Sequence, residues 1–232
     1  MNIAIIPARG GSKRIPRKNI KLFAGKPIIA WPIEAAKTSG LFDRIIVSTD
    51  DQEIAEVSKL WGAEVPFIRP DELSNDYAGT TEVISHATQW TLDQGLDVTA
   101  VCCIYATAPF VQVADLVAGL HMLETNDLGY VFPVTVFPSA IERALRQLPN
   151  GLMEPFYNQY VPFRTQDLEP AYYDAGQFYW GLTQTWLEGK IIHKHGAGLG
   201  IPSWRVVDID TIEDWQRAEL MFEVFNSAKF PV

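Results

Sequence analysis

Short apolar runs alternate with amphipathic stretches through the first 136 residues, and that order restricts the fold more than any other feature of the chain. Asn2–Pro7, Arg44–Ser48, 64–68, 98–105 and Tyr130–Val136 read as strands. Residues 27–37, ending near Gly40, read as a helix. Asp50 and Asp51 are placed to cap another, with Ile54, Val57 and Trp61 on one face. Residues 80–92 and 113–123 are helical in pattern. Strands that alternate with helices predict an α/β fold: a single, mainly parallel twisted sheet flanked by helices on both faces. The pattern stops at 138–173, which holds Pro138, Pro149, Pro155, Pro162 and Pro170. A long irregular segment inside a domain is usually functional or packs on a partner. Regular structure is expected again at 205–209 (RVVDI) and in a last helix with Ile212, Trp215, Ala218, Phe222 and Phe225 on one stripe. Thr211 and Asp214 have capping-box spacing there. The chain of 232 residues is therefore expected to form one domain, 1–232, with an excursion at 138–173.

The formal net charge of −9 argues against a nucleic-acid partner. Yet Arg9, Lys13, Arg14, Arg17, Lys18, Lys21 and Lys26 precede the first acid, Glu34. Concentrated cations in an acidic protein point to a local anion site. The longest wholly apolar stretch, 100–106, is far too short to span a bilayer, and neither end resembles a targeting signal, so no membrane partner and a cytoplasmic location are expected. Cys102 and Cys103, adjacent on a strand, face opposite sides and read as core.

The basic segment 6–19 (IPARGGSKRIPRKN) follows the first strand, where ligands of open α/β sheets bind. Gly10 and Gly11 let backbone N–H groups approach phosphates, and Arg9, Lys13 and Lys18 can neutralise a triphosphate. The loop lacks the Lys-Ser/Thr ending of a Walker A motif. Asp208 and Asp210, two apart on the expected strand, share a face; two carboxylates there repel unless a divalent cation lies close. Asp210 is also placed to cap the final helix. The run 196–200 (GAGLG) opens no helix and is followed by Pro202, so it is not read as a dinucleotide fingerprint. His193 and His195 alternate on an expected strand without a third ligand, and His86 and His121 are expected on helix surfaces.

The loop resembles the N-terminal signature of the acylneuraminate (CMP-nonulosonate) cytidylyltransferases. Residues 45–50 (IIVSTD), 69–81 (RPDELSNDYAGTT), 105–109 (YATAP) and 207–215 (VDIDTIEDW) agree in order. The resemblance implies a nucleotide-diphospho-sugar transferase-like fold, a homodimer formed through the excursion, and transfer of CMP from CTP to a nonulosonic acid with Mg²⁺. It places Arg9, Gly10, Gly11, Ser12, Lys13, Lys18 and Asn19 on the CTP phosphates and Arg69 and Thr80 on the cytidine. It places Asp208 and Asp210 on the metal, with Arg9, Lys18 and Asp210 catalytic. Within the family, 164–168 (RTQDL), 174–180 (DAGQFYW) and 105–110 (YATAPF) are most similar to pseudaminic acid cytidylyltransferases. Sialic acid enzymes carry Gln-Pro-Thr-Ser-Pro-Leu-Arg at the last of these; Tyr105 replaces that Gln and Val111 that Arg. Tyr105, Arg164, Gln166, Asp174 and Tyr179 are the implied sugar contacts, with Tyr179 and Trp180 offering an apolar wall and Arg164 reaching across from a second subunit. N-Acetylneuraminic and legionaminic acids are the alternative acceptors. A transferase for another nucleotide or a sugar phosphate, and a non-catalytic nucleotide-binding module, are the alternative activities; no cation cluster past Lys59 suits the first, and the Asp208/Asp210 pair argues against the second.

Overall fold

Alternate side chains of a strand face opposite sides, and the first strand shows it: Ala4 and Ile6 enter one apolar layer, Ile3 and Ile5 the other. The computed structural model describes residues 1–227. In chain order its elements are β1 (Asn2–Pro7), the short pair β2 (Leu22–Phe23) and β3 (Lys26–Pro27), α1 (Ala30–Ser39), β4 (Arg44–Ser48), α2 (Gln52–Leu60) and α3 (Thr80–Asp93). Then come β5 (Ala100–Ile104), α4 (Val113–Thr125), β6 (Tyr130–Val136), β7 (Leu145–Gln147), β8 (Met153–Pro155), β9 (Tyr172–Asp174) and β10 (Phe178–Leu182). The chain closes with α5 (Thr183–Leu187), α6 (Ile192–His195), β11 (Gly196–Gly200) and α7 (Ile212–Ser227).

The main sheet runs β11-β6-β10-β5-β1-β4, with β9 also on β6. β1 pairs parallel with β4 and β5, and β11 parallel with β6. β10 enters antiparallel between β5 and β6, so the sheet is mainly parallel and mixed. One face packs Ile33 of α1, Ile54 of α2 and Leu116 and Leu120 of α4; Cys102 and Trp180 lie in that layer. The other packs Ile84 and Ala87 of α3 and Trp186 of α5, with Cys103 and Tyr179. A third cluster joins Ile15, Phe23 and Ile209 to Trp215, Ala218 and Phe222 of α7. No helix among the described residues is long and apolar enough to cross a membrane.

Several local expectations change. At 64–68 only Glu64 bridges to Ile46; Pro66 has no N–H to continue a ladder. Residues 205–209 are not a strand. Ser203–Arg205 is a 3-10 turn, and Arg205 is held by Asp115 through bonds of 2.6 and 3.3 Å instead of by a sheet edge. Pro27 ends β3 and the helix begins at Ala30, closing at Gly40 with a left-handed φ of 64°. Ile212, expected in the stripe of the last helix, is exposed, whereas Thr211 and Asp214 form the reciprocal cap at 2.9 and 3.1 Å. His193 and His195 sit on the short helix α6, not a strand, and His86 is half-buried with its ring edge-on to Phe67 at 5.1 Å.

The excursion leaves the sheet after β6 and returns at β9, its base tied by Phe137 N–H donating to the Ala171 carbonyl at 2.9 Å. It carries the β7–β8 hairpin and three 3-10 turns. Leu145, Leu152, Met153, Phe156, Val161 and Phe163 are all exposed on it.

Candidate active site

β1 connects to β4 on one side while the later β5 lies on its other side, which makes the carboxyl ends of β1 and β5 a topological switch point. A cleft of about 340 Å³ opens there, within the range of ligand sites. Arg9, Ser12, Lys13, Lys18 and Asn19 line it from the basic segment. Arg69, Thr80, Tyr105 and Asp210 close it from four other stretches of chain.

The loop after β1 is built to be held open. Gly10 N–H donates to Asp50 Oδ1 at 2.9 Å, and a Cβ on Gly10 would lie 2.6 Å from Asp51 Oδ2, so a side chain there would displace the Asp51 carboxylate. Gly11 has free space around it. Arg17 adopts φ 55° and places its guanidinium on Asp51 at 2.5 and 2.8 Å, with Glu53 beside it. That pairing holds the Asp51 carboxyl down at about 2. Asp51 meanwhile caps α2 through Ile54 N–H at 2.9 Å. Asn19, buried, donates to the Arg9 carbonyl at 2.9 Å and clamps the two ends of the loop.

The cations divide into two groups. Arg17, Lys21 and Lys26 are structural: Lys21 stands over Trp215, and Lys26 over Trp31 while paired with Glu34. Arg9, Lys13, Arg14 and Lys18 line the cleft. Arg9 and Lys13 converge on Asp76 at 2.6 and 2.5 Å, and these two cations, Lys13 first, draw its pKa down. Arg14 reaches Asp210 at 2.9 Å. Lys18 donates to the Ile209 carbonyl at 2.7 Å and lies 3.4 Å from Asp210. Arg69 is a buried part of the cleft wall, donating to Ser74 Oγ at 3.2 Å and 3.8 Å from Asp50; burial lowers its pKa, Asp50 opposing. Asp50 therefore touches both the loop and Arg69.

Asp208 and Asp210 remain on one side without a strand, because Val207 and Ile209 turn into the third apolar cluster. Asp208 keeps contact with water, yet the protein crowds it enough that desolvation, ahead of the Asp210 charge, raises its pKa. Two carboxylates that repel in this way suit a hard divalent cation, which is commonly bound by one or two carboxylates completed by substrate phosphates and water. No group of three or more potential metal ligands occurs among the described residues.

The expected sugar residues do not all meet at the cleft. Tyr105 lines it, its hydroxyl 3.1 Å from Thr80 Oγ1. Tyr179 is buried behind Tyr105, and Asp174 behind Tyr179. Trp180 is fully buried on the opposite face, stacked on Phe42 at 5.1 Å. Arg164 and Gln166 lie exposed in the excursion, away from the cleft lining, Arg164 paired with Asp167 at 3.1 Å. Asp50 and Asp76 were not singled out for this site from sequence. Both lie inside the motifs 45–50 and 69–81 that carry the family resemblance, and the basic segment itself needed counter-charges from elsewhere.

The model of the family described as Cytidylyltransferase matches residues 3–149. A Campylobacter jejuni protein named pseudaminic acid cytidylyltransferase is 42% identical over 99% of this chain and 99% of its own length. A Legionella pneumophila protein named CMP-N,N'-diacetyllegionaminic acid synthase is 31% identical over 97% of this chain and 98% of its own. The fold is shared with a solved CMP-2-keto-3-deoxy-manno-octonic acid synthetase complexed with CTP, at TM-score 0.70 and 15% identity, covering 96% of this chain and 98% of that one. The chain belongs to the cytidylyltransferase family and is a CTP-dependent nucleotidyltransferase.

Proposed function

We propose that this enzyme transfers CMP from CTP to the anomeric hydroxyl of pseudaminic acid and releases pyrophosphate. The observation that carries the reading is the cleft itself. A glycine-rich loop with Arg9, Lys13 and Lys18 faces Arg69, Thr80, Tyr105 and Asp210 across one hollow at the strand ends. The greater likeness to the pseudaminic acid enzyme, 42% against 31% for the legionaminic acid enzyme, supports the choice of acceptor.

On this reading Gly10, Gly11 and Ser12 present the loop to the triphosphate, while Arg9 and Lys13 exchange Asp76 for its β- and γ-phosphates. Lys18 is anchored before substrate arrives and meets the charge that develops at the α-phosphate. Asn19 keeps the loop in shape. Arg69 and Thr80 read the cytosine edge. The anomeric hydroxyl attacks the α-phosphorus in line, its proton passing to Asp210. Asp208 and Asp210 hold Mg²⁺ when it is bound, and the cation's charge favours approach of the hydroxyl to the phosphate.

The exposed apolar excursion packs on a second copy in a two-fold dimer. Arg164 and Gln166 reach the partner's cleft in that arrangement, Arg164 taking the sugar carboxylate through its two-pronged guanidinium. Tyr105 faces the sugar, with Tyr179 and Asp174 supporting it from behind. The enzyme works in the cytoplasm, where CTP is supplied. Pyrophosphate release with each of the four nucleoside triphosphates, with Mg²⁺ or EDTA, tests the nucleotide and metal assignments. CTP alone should support turnover, and only with Mg²⁺. Equal rates with UTP or ATP, or full activity in EDTA, would remove the corresponding assignment.

A further inference from the structure

A carboxylate stands in the corner of the protein that is built to hold phosphates. Asp50 does not line the cleft but lies behind the loop that follows β1. From there its charge works against the binding of a triphosphate. Its contacts give it another use.

Asp50 Oδ1 accepts the Gly10 N–H at 2.9 Å and lies 3.8 Å from Arg69 Nη2. Gly10 belongs to the loop that faces the phosphates, and Arg69 to the wall assigned to the base. One oxygen therefore addresses both ends of the cleft. The backbone around it is fixed. The Ser48 carbonyl accepts the Ala8 N–H at 2.9 Å, and the Thr49 carbonyl accepts the Arg69 N–H at 2.8 Å. Asp51 N–H returns to Thr49 Oγ1 at 3.1 Å, and the Asp51 side chain caps α2. Ser48 and Thr49 are fully buried. An oxygen held this way is a fixed point to which the loop and Arg69 must both come.

Each partner needs that point for its own reason. The Arg69 side chain is 3% exposed, and Asp50 carries the only carboxylate within 4 Å of it among the described residues. A guanidinium so deep needs an anionic partner to stay charged and aimed. Glycine has the freest backbone of any residue, and the bond to Asp50 restrains Gly10 to one conformation. We infer that Asp50 is a positioning residue shared by the two halves of the CTP site, fixing the phosphate loop through Gly10 and aiming Arg69 at the base, an inference that deepens the CTP reading above and rests on Arg69 as a contact of the base.

The test is equilibrium binding of two probes, read by calorimetry with Mg²⁺ in wild type, Asp50→Asn, Asp50→Ala and Arg69→Gln. Pyrophosphate reports on the phosphate end, and cytidine, which carries no phosphate, on the base end. Asparagine keeps an oxygen for Gly10 and loses the charge. Pyrophosphate should bind Asp50→Asn as tightly as wild type or more tightly, whereas cytidine should bind it about threefold more weakly or worse, the scale of a partly exposed ion pair. Asp50→Ala loses both contacts. Pyrophosphate should then bind about tenfold more weakly, the scale of a hydrogen bond to a charged group, although a like charge has been removed. If the two variants shift pyrophosphate alike, Asp50 acts by its charge alone and the shared role is wrong. If cytidine binds Asp50→Asn as it binds wild type while Arg69→Gln weakens it, the shared role is again wrong and the reading of Arg69 stands. If Arg69→Gln leaves cytidine binding unchanged, that reading falls and the shared role with it. Should Asp50→Ala fail to fold, Asp50→Ser, whose hydroxyl falls a bond short of Gly10, takes its place with the same expectations.

Discussion

Lys18→Ala separates catalysis from folding at one side chain. Lys18 opens a 3-10 turn directly after the left-handed Arg17, which points its ammonium into the cleft floor. Two anchors fix it, the Ile209 carbonyl at 2.7 Å and Asp210 at 3.4 Å. An ammonium has three N–H donors, so one is left for an arriving phosphate oxygen. Both anchors exist without substrate, and a charge that needs no reorganisation is worth most in the transition state. Its removal should lower kcat by about 10²–10³-fold, or roughly 2.7–4 kcal/mol. The folding cost is smaller. Asp210 keeps Arg14 at 2.9 Å, so loss of a partly exposed pair and one hydrogen bond amounts to about 1–2 kcal/mol. In a chain of this length that is a fall in Tm of about 2–8 °C. Steady-state pyrophosphate release at saturating CTP and acceptor, paired with a thermal melt, reads both. A folded Lys18→Ala enzyme with kcat within threefold of wild type would show that the basic segment is a solvated surface and not the catalytic floor.

Asp208→Asn should abolish turnover and raise stability. Burial, then the Asp210 charge, lifts the Asp208 pKa above its ordinary 3.8, so the folded state is penalised as pH rises through the raised value. The gain in Tm should be full at pH 7 and shrink as the pH is lowered toward 4; an unchanged melt at pH 7 would contradict the crowding of the pair. Asp76→Asn removes the carboxylate that competes with phosphates for Arg9 and Lys13, so KM for CTP should fall by about two- to fivefold, the scale of exposed ion pairs. A rise in KM would mean that Asp76 orders the cleft instead of occupying it. Phe156→Asp on the excursion should turn a dimer into a monomer by light scattering at micromolar concentration; a wild-type monomer would remove the assembly role and the reach of Arg164 with it.

Much of the framework was legible because its signals are local. Arg44–Ser48 and Tyr130–Val136 are short, mostly apolar and rich in β-branched residues, and the Thr211/Asp214 cap depends only on its own turn. The misread segments depend on distant partners. RVVDI reads as a strand, but Asp115, ninety positions away, captures Arg205, and Val207 and Ile209 pack into the cluster of Trp215, Ala218 and Phe222. β10 carries Phe178, Tyr179 and Trp180, whose aromatics suit a strand, yet nothing nearby tells that it slots antiparallel between β5 and β6. The cleft was legible where its chemistry is concentrated, in the acid-free basic segment. Asp50 and Asp76 were not, since each matters only through what the fold brings opposite it. Asp174 and Tyr179 were found as a motif, but their distance from the cleft wall is a property of the packing.

The choice of acceptor is the claim on which the account turns, and competition among acids tests it most directly. At fixed CTP and Mg²⁺, kcat/KM should be at least tenfold higher for pseudaminic acid than for N-acetylneuraminic or legionaminic acid, a difference of about 1.4 kcal/mol in the transition state. A tenfold preference for either of the other two acids would contradict it.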